Sequence, residues 1–161
     1  RQMCIRDRDR VLKSLKRRFD YIFADEDRYP GAPAVKENLV EEKRPFTLKG
    51  MLVTPIKAYH NRLEVFGYRL GNFAYLTDVK ALDTEELPKL SGLDVLVVNA
   101  LRIEPHHSHF NLEEALAFVE LIKPKRAYFT HISHLLGFHD EVEKKLPENV
   151  YLAYDNLVIT I

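Results

Sequence analysis

Apolar positions recur at helical spacing over 9–23, at Val11, Leu12, Leu15, Phe19, Ile22 and Phe23, with Lys13, Lys16, Arg17 and Asp20 on the other side. That pattern predicts an amphipathic helix. Pro30, Gly31 and Pro33 punctuate a loop over 25–33. A short strand over 35–40 and the segment 46–48 lead to a tight turn at Lys49-Gly50. From 51 to 59 the pattern changes to the alternation of a strand, with Pro55 marking an edge or a bulge. Segments 63–70 and 73–77 flank Gly71-Asn72, a pair that tolerates positive φ and so predicts a two-residue hairpin turn.

Helical periods return after residue 80. Thr84 is expected to cap a short helix to Leu90, with Glu85 and Glu86 suiting the dipole of its first turn. The valine-rich run over 93–98 predicts a strand buried on both faces. A polar, histidine-rich loop spans 101–110. Asn111 caps a helix over 112–122, which Pro124 follows. A strand over 126–130, a helix over 135–146 stopped at Pro147, and strands over 151–153 and 157–161 complete the pattern. Hairpins first, then β-α-β-α-β, predict an α/β (α+β) chain with a mixed sheet and flanking helices.

Composition narrows the class. A chain of 161 residues can form one domain with its own core. The 24 basic and 24 acidic residues cancel, so no net charge steers the chain to nucleic acid or to a membrane. No apolar run approaches the roughly 20 residues that span a bilayer, and the N-terminus lacks the apolar core of a signal peptide. The single cysteine, Cys4, excludes an internal disulfide and suits a reducing, cytoplasmic compartment. The first eight residues, RQMCIRDR, lack periodicity and are read as a non-native tip, which leaves 9–161 as the domain.

Seven histidines are more than structure needs. His60, Asp78 and His131 each stand where a predicted strand ends, and a strand end holds a side chain steadily over a cleft. Imidazole and carboxylate are donors that zinc, manganese and iron accept. Taken singly, each residue is more readily an ordinary turn or cap residue than a ligand. His109 precedes the helix over 112–122, where an imidazole could protonate a leaving alkoxide; a solvated loop is the plain alternative for it and for His106 and His107. No Gly-x-Ser-x-Gly motif and no Gly-rich phosphate loop is present.

The segments TPIKAYHN, GYRLGNFAYLTD, HHSHFNLEEAL and KRAYFTHISH carry a resemblance. From about Val11 onward the chain resembles the C-terminal part of an αββα metallo-β-lactamase-fold hydrolase. It is most similar to the cyclic-phosphodiesterase branch associated with phosphonate breakdown, itself close to transfer-RNA 3′-processing nucleases. The resemblance implies a site of two divalent ions, zinc or manganese, that activates hydroxide and clamps a phosphodiester. It implies that His60 binds one metal, His131 the other, and Asp78 bridges both. His109 matches a proton donor to the leaving group, and His134 a residue behind the ligands or facing substrate.

The family's His-x-His-x-Asp-His motif, which supplies two further ligands to each metal, is not in this sequence. The chain is therefore expected to be part of a larger hydrolase, inactive or nearly so alone, with a small or cyclic phosphodiester as the parent's substrate. A homodimer is compatible with this reading. Two alternatives stay open: a non-catalytic binding module of the same fold, and an RNA-processing nuclease. The nuclease is disfavoured because no basic, substrate-gripping extension is present.

Overall fold

A computed structural model of the chain describes residues 3–24 and 31–161. Most of the loop expected over 25–33, residues 25–30, lies outside them. The chain divides into two compact units, Arg1–Arg44 and Pro45–Ile161.

In the first unit, Met3–Asp7 (β1) pairs in parallel with Val35–Leu39 (β2), Met3 opposite Val35 and Asp7 opposite Leu39. β1 lies within the stretch read from sequence as a non-native tip. Between the strands, the single helix expected over 9–23 is two: Asp9–Arg18 (α1) and Asp20–Phe23 (α2), with a break at Phe19. Lys16, Arg17 and Arg18 crowd the last turn of α1, where cations suit the negative end of the helix dipole.

The second unit is built on an eight-stranded mixed sheet. Its strands are Phe46–Leu48 (β3), Met51–His60 (β4), Leu63–Leu70 (β5), Phe73–Leu76 (β6), Ala81–Leu82 (β7), Val95–Asn99 (β8), Arg126–Thr130 (β9) and Val150–Leu152 (β10). The order is β10-β9-β8-β6-β5-β4-β3, with β7 also on β4. β3, β4, β5 and β6 form antiparallel neighbours; β6, β8, β9 and β10 run parallel. This is the expected sequence of hairpins followed by β-α-β units. Because β4 and β6 are each antiparallel to β5, the chain leaves β4, β6, β8 and β9 at the same edge of the sheet.

All five residues of β8 are buried, as its run of valines predicts. Ile56, Leu76, Leu96, Val98 and Phe129 are fully buried in one cluster, and each such side chain contributes about 1.5–3 kcal/mol through its burial. Leu112–Ile122 (α3) packs Ala115 and Phe118 into that core. Asn111 caps α3 as expected, in a full capping box: its side chain accepts from the Glu114 N–H while Glu114 accepts from the Asn111 N–H.

Pro55 sits in a gap. On the side of β4 away from β5, β3 pairs with Met51 to Val53 and β7 with Ala58 and Tyr59. Pro55, which has no N–H to give a ladder, falls between them. The Lys57 N–H within the same gap donates to Glu86 Oε2 at 2.7 Å. Lys89 Nζ in turn donates to both Glu86 oxygens, at 2.9 and 2.7 Å, and to the Pro55 carbonyl at 3.1 Å. A buried carboxylate thus takes the place of a missing strand.

Three expectations need correction. Thr84–Leu90 is a 3-10 helix, its cap position is Asp83 rather than Thr84, and no side chain bonds there; Pro88 inside it removes an N–H that an α-helix would need. The helix expected over 135–146 is a 3-10 turn, His134–Leu136, followed by His139–Glu143 (α4). Gly137 at φ 113 separates the two, far from helical backbone. Residues 157–161 form no strand; instead, Arg126 Nη2 donates to the Thr160 carbonyl at 2.8 Å.

Candidate active site

The shared sheet edge gathers the histidines. His60 is the last residue of β4, while Asp78 and His131 lie just past the ends of β6 and β9. Asp78 and His131 both adopt left-handed backbone, at φ 60 and φ 56. Such conformations are uncommon outside glycine, though Asp and His tolerate them better than most. They turn the chain sharply where each parallel strand stops.

Hydrogen bonds around Asn99, at the end of β8, hold these turns. The Val79 N–H donates to Asn99 Oδ1 at 2.7 Å, and Asn99 Nδ2 donates to the Val79 carbonyl at 3.0 Å. The Phe110 N–H also donates to the Val79 carbonyl, at 2.8 Å. The Ala100 N–H donates to the Thr130 carbonyl, and the Leu101 N–H to the Phe110 carbonyl, both at 3.0 Å. The histidine-rich loop is therefore closed at its base and pinned to the strand that precedes it.

The side chains converge. Ligand atoms of His60, Asp78 and His109 all lie within 4.8 Å of one another. His109 Nε2 is 3.2 Å from Asp78 Oδ1, and His131 Nε2 is 3.6 Å from the same oxygen. The His109 ring stacks on His131 with centroids 4.8 Å apart and meets His60 edge-on at 4.5 Å. On its far side, His109 Nδ1 lies 3.0 Å from Ser108 Oγ and 3.2 Å from His106 Nδ1. His109 is 8% exposed, whereas the Asp78 and His131 side chains are about 40% exposed. The buried imidazole is thus reached through a more open carboxylate and histidine.

Burial pushes His109 below the ordinary imidazole range, and the hydrogen bond it makes to the Asp78 carboxylate opposes that push. Burial and the neighbouring His107 likewise lower His106. The imidazoles of His60, His109 and His131 beside one carboxylate are the donor types that a borderline divalent ion takes, so the residues present fit a metal.

Of the residues singled out from sequence, His60, Asp78, His109 and His131 come together. His134, itself exposed, opens a 3-10 turn, and the described contacts bring it to none of the four. A cavity of about 260 Å³, lined by Thr130, His131, Ile132, Ala153, Tyr154 and Asp155, adjoins His131. Sequence reasoning missed Asn99, Ser108 and the contact made by His106. A polar residue closing a buried apolar run was the one available signal for Asn99. Among the described residues, no helix is long and apolar enough to cross a membrane.

Comparison with known proteins agrees with this architecture. The model of the beta-lactamase superfamily domain matches residues 3–132. Over 96% of its length, the chain superposes on a crystal structure described as a new diphosphatase from the PhnP family, at a TM-score of 0.85 and 34% identity. It covers 56% of that protein. The metallo-β-lactamase-fold protein YhfI from Bacillus subtilis and human tRNase Z, short form, share the fold at TM-scores of 0.68 and 0.67, with 16% and 20% identity. They are matched over 62% and 67% of their lengths by 94% and 98% of this chain. A protein of Porphyromonas gingivalis (strain ATCC BAA-308 / W83) named octanoyltransferase is 32% identical over 158 residues, 98% of this chain and 32% of that protein. The chain thus spans about a third of the curated relative it matches and little more than half of the diphosphatase. On the family match and the shared fold, the chain belongs to the beta-lactamase superfamily, in its PhnP-like, metallo-β-lactamase-fold branch.

Proposed function

We propose that the chain carries part of the reaction centre of a metal-dependent hydrolase that cleaves small or cyclic phosphodiesters. The observation that carries this reading is the convergence of His60, His109 and His131 on Asp78 at one sheet edge. The similarity to a protein described as a PhnP-family diphosphatase supports phosphoric-ester chemistry. His60, Asp78 and His131 would hold two divalent ions, zinc or manganese, with Asp78 shared. When bound, these ions supply Lewis-acid charge at the phosphoryl group.

The chain's own residues do the rest. Asp78, held in its left-handed turn, presents Oδ1 to both His109 and His131. His109 donates a proton to the leaving oxygen. The imidazolium form gives this proton; burial opposes that form, and the Asp78 carboxylate beside Nε2 favours it. Ser108 and His106 hold its other nitrogen and thereby its ring orientation. The cavity beside His131 accommodates one ester substituent, and His134 stands outside this set. The balanced charge favours a small substrate over a nucleic acid. The name octanoyltransferase belongs to a protein of which this chain matches a third, and the four-residue cluster holds no thiol or amine to carry an acyl group.

The test is metal content with turnover of bis-p-nitrophenyl phosphate and a cyclic nucleotide, under added zinc or manganese. It compares the 161-residue chain with the longest natural protein that contains it. Two ions and turnover in the longer protein alone support the reading and make this chain part of a site. Metal without turnover in the longer protein favours a non-catalytic binding module, and neither metal nor turnover ends the proposal.

A further inference from the structure

We infer that Asn99 is a positioning residue: its side-chain amide clamps Val79, and through Val79 it sets Asp78 and His109 against each other. The inference rests on reading that cluster as the reaction centre.

The β6–β8 ladder ends at the pair Leu76 and Val98. Two residues later, Asp78 turns the chain at φ 60. Val79 follows, fully buried, with its N–H and C=O beyond the reach of a strand partner. Without Asn99 the Val79 N–H would be left unpaired at a full desolvation penalty, while its C=O would keep the Phe110 N–H. Asn99, also fully buried, supplies one acceptor and one donor to that single residue, at 2.7 and 3.0 Å. A carboxamide is the short side chain that can do both. An ionised aspartate would lack the donor, and leucine would lack both groups.

The consequence reaches the site because of what adjoins Val79. Asp78 is its chain neighbour. The Val79 carbonyl also accepts the Phe110 N–H at 2.8 Å, and His109 is the chain neighbour of Phe110. The two side chains that meet at 3.2 Å therefore hang from one peptide unit that Asn99 holds. The next residue, Ala100, bonds the Thr130 carbonyl beside His131. Of these arms only the Asn99 arm runs through a side chain, so it alone can be cut by substitution.

The experiment compares Asn99→Leu and Asn99→Asp in the natural protein that contains this chain. Val150→Ala serves as a control, because it removes buried volume from β10 and touches none of these hydrogen bonds. Manganese affinity, kcat and KM are measured where every variant is folded, and the Asn99→Asp crystal structure is solved. Asn99→Leu should weaken manganese binding on the order of 10–100-fold and lower kcat more than it changes KM. Asn99→Asp should fall between it and the wild type, and Val150→Ala should keep wild-type affinity at comparable loss of stability. Wild-type manganese affinity in Asn99→Leu would overturn the inference; should that variant not fold, wild-type affinity in Asn99→Asp would do so. If the wild type itself neither binds manganese nor hydrolyses substrate, the functional reading has failed. The crystal structure then decides this inference: a retained Asp78–His109 contact in Asn99→Asp overturns it, and a separated pair supports it.

Discussion

His109 Nε2 lies 3.2 Å from Asp78 Oδ1 although 31 positions separate them in the chain. If Asp78 is the shared ligand and His109 the proton donor, the two substitutions must differ. Asp78→Ala should abolish occupancy by two metals. His109→Ala should leave the metals bound and lower turnover of a substrate with a poor leaving group by about 10²–10⁴-fold. Metal analysis beside kcat separates them, and loss of metal in His109→Ala would make His109 a ligand instead.

Stability should fall in acid. His109 and His106 are held below the ordinary imidazole value of 6.5 in the folded protein. The unfolded chain therefore takes up protons first as pH drops through 6.5, and folding free energy is lost progressively below that value. Above it both states are neutral and the full stability is present. Urea unfolding at about pH 8 and about pH 5.5 reads the difference, which spans the ordinary imidazole titration. His109→Gln and His106→Gln should each flatten the profile, and an unchanged slope in both would contradict the burial argument.

Glu86 should matter more for folding than any exposed carboxylate. It is 4% exposed and bonds both the Lys57 N–H and the Lys89 ammonium. Glu86→Ala removes the buried acceptor of the Lys57 N–H and the counter-charge of Lys89, at a cost of about 3 kcal/mol. Chemical denaturation measures this, with Asp9→Ala as the exposed comparison, whose pair with Lys13 is open to solvent and contributes little.

Gly67 should not accept a side chain. A Cβ there would stand 2.7 Å from Leu76 Cγ and 2.9 Å from the Tyr75 carbonyl oxygen. Gly67→Ala should destabilise the sheet by about 1–3 kcal/mol. Gly50→Ala is a different case, since a Cβ there meets nothing within 4 Å and only the backbone at φ 83 opposes it. A stable Gly67→Ala protein would show that β5 and β6 can separate locally at no cost.

Local signals read truly where a short stretch decided its own structure. The Asn111 cap with Glu114, the Gly71-Asn72 turn and the buried run of β8 each follow from neighbouring residues. The same reasoning failed where one residue opposed its surroundings: Gly137 split a helix whose apolar period ran on, and Pro88 tightened another into 3-10 turns. Pro55 was read as an edge or a bulge, and it is neither alone. It occupies a gap between two short partners that a carboxylate 31 residues later fills.

The sequence by itself determined which residues could do chemistry and that His60, Asp78 and His131 close strands, because alternation, turn dipeptides and caps are short-range properties of the chain. Only the tertiary structure decided that His109 and His131 share one oxygen of Asp78, and that Asn99 stands behind them. Those contacts depend on the register of parallel strands joined by long crossovers, and no local pattern encodes that register.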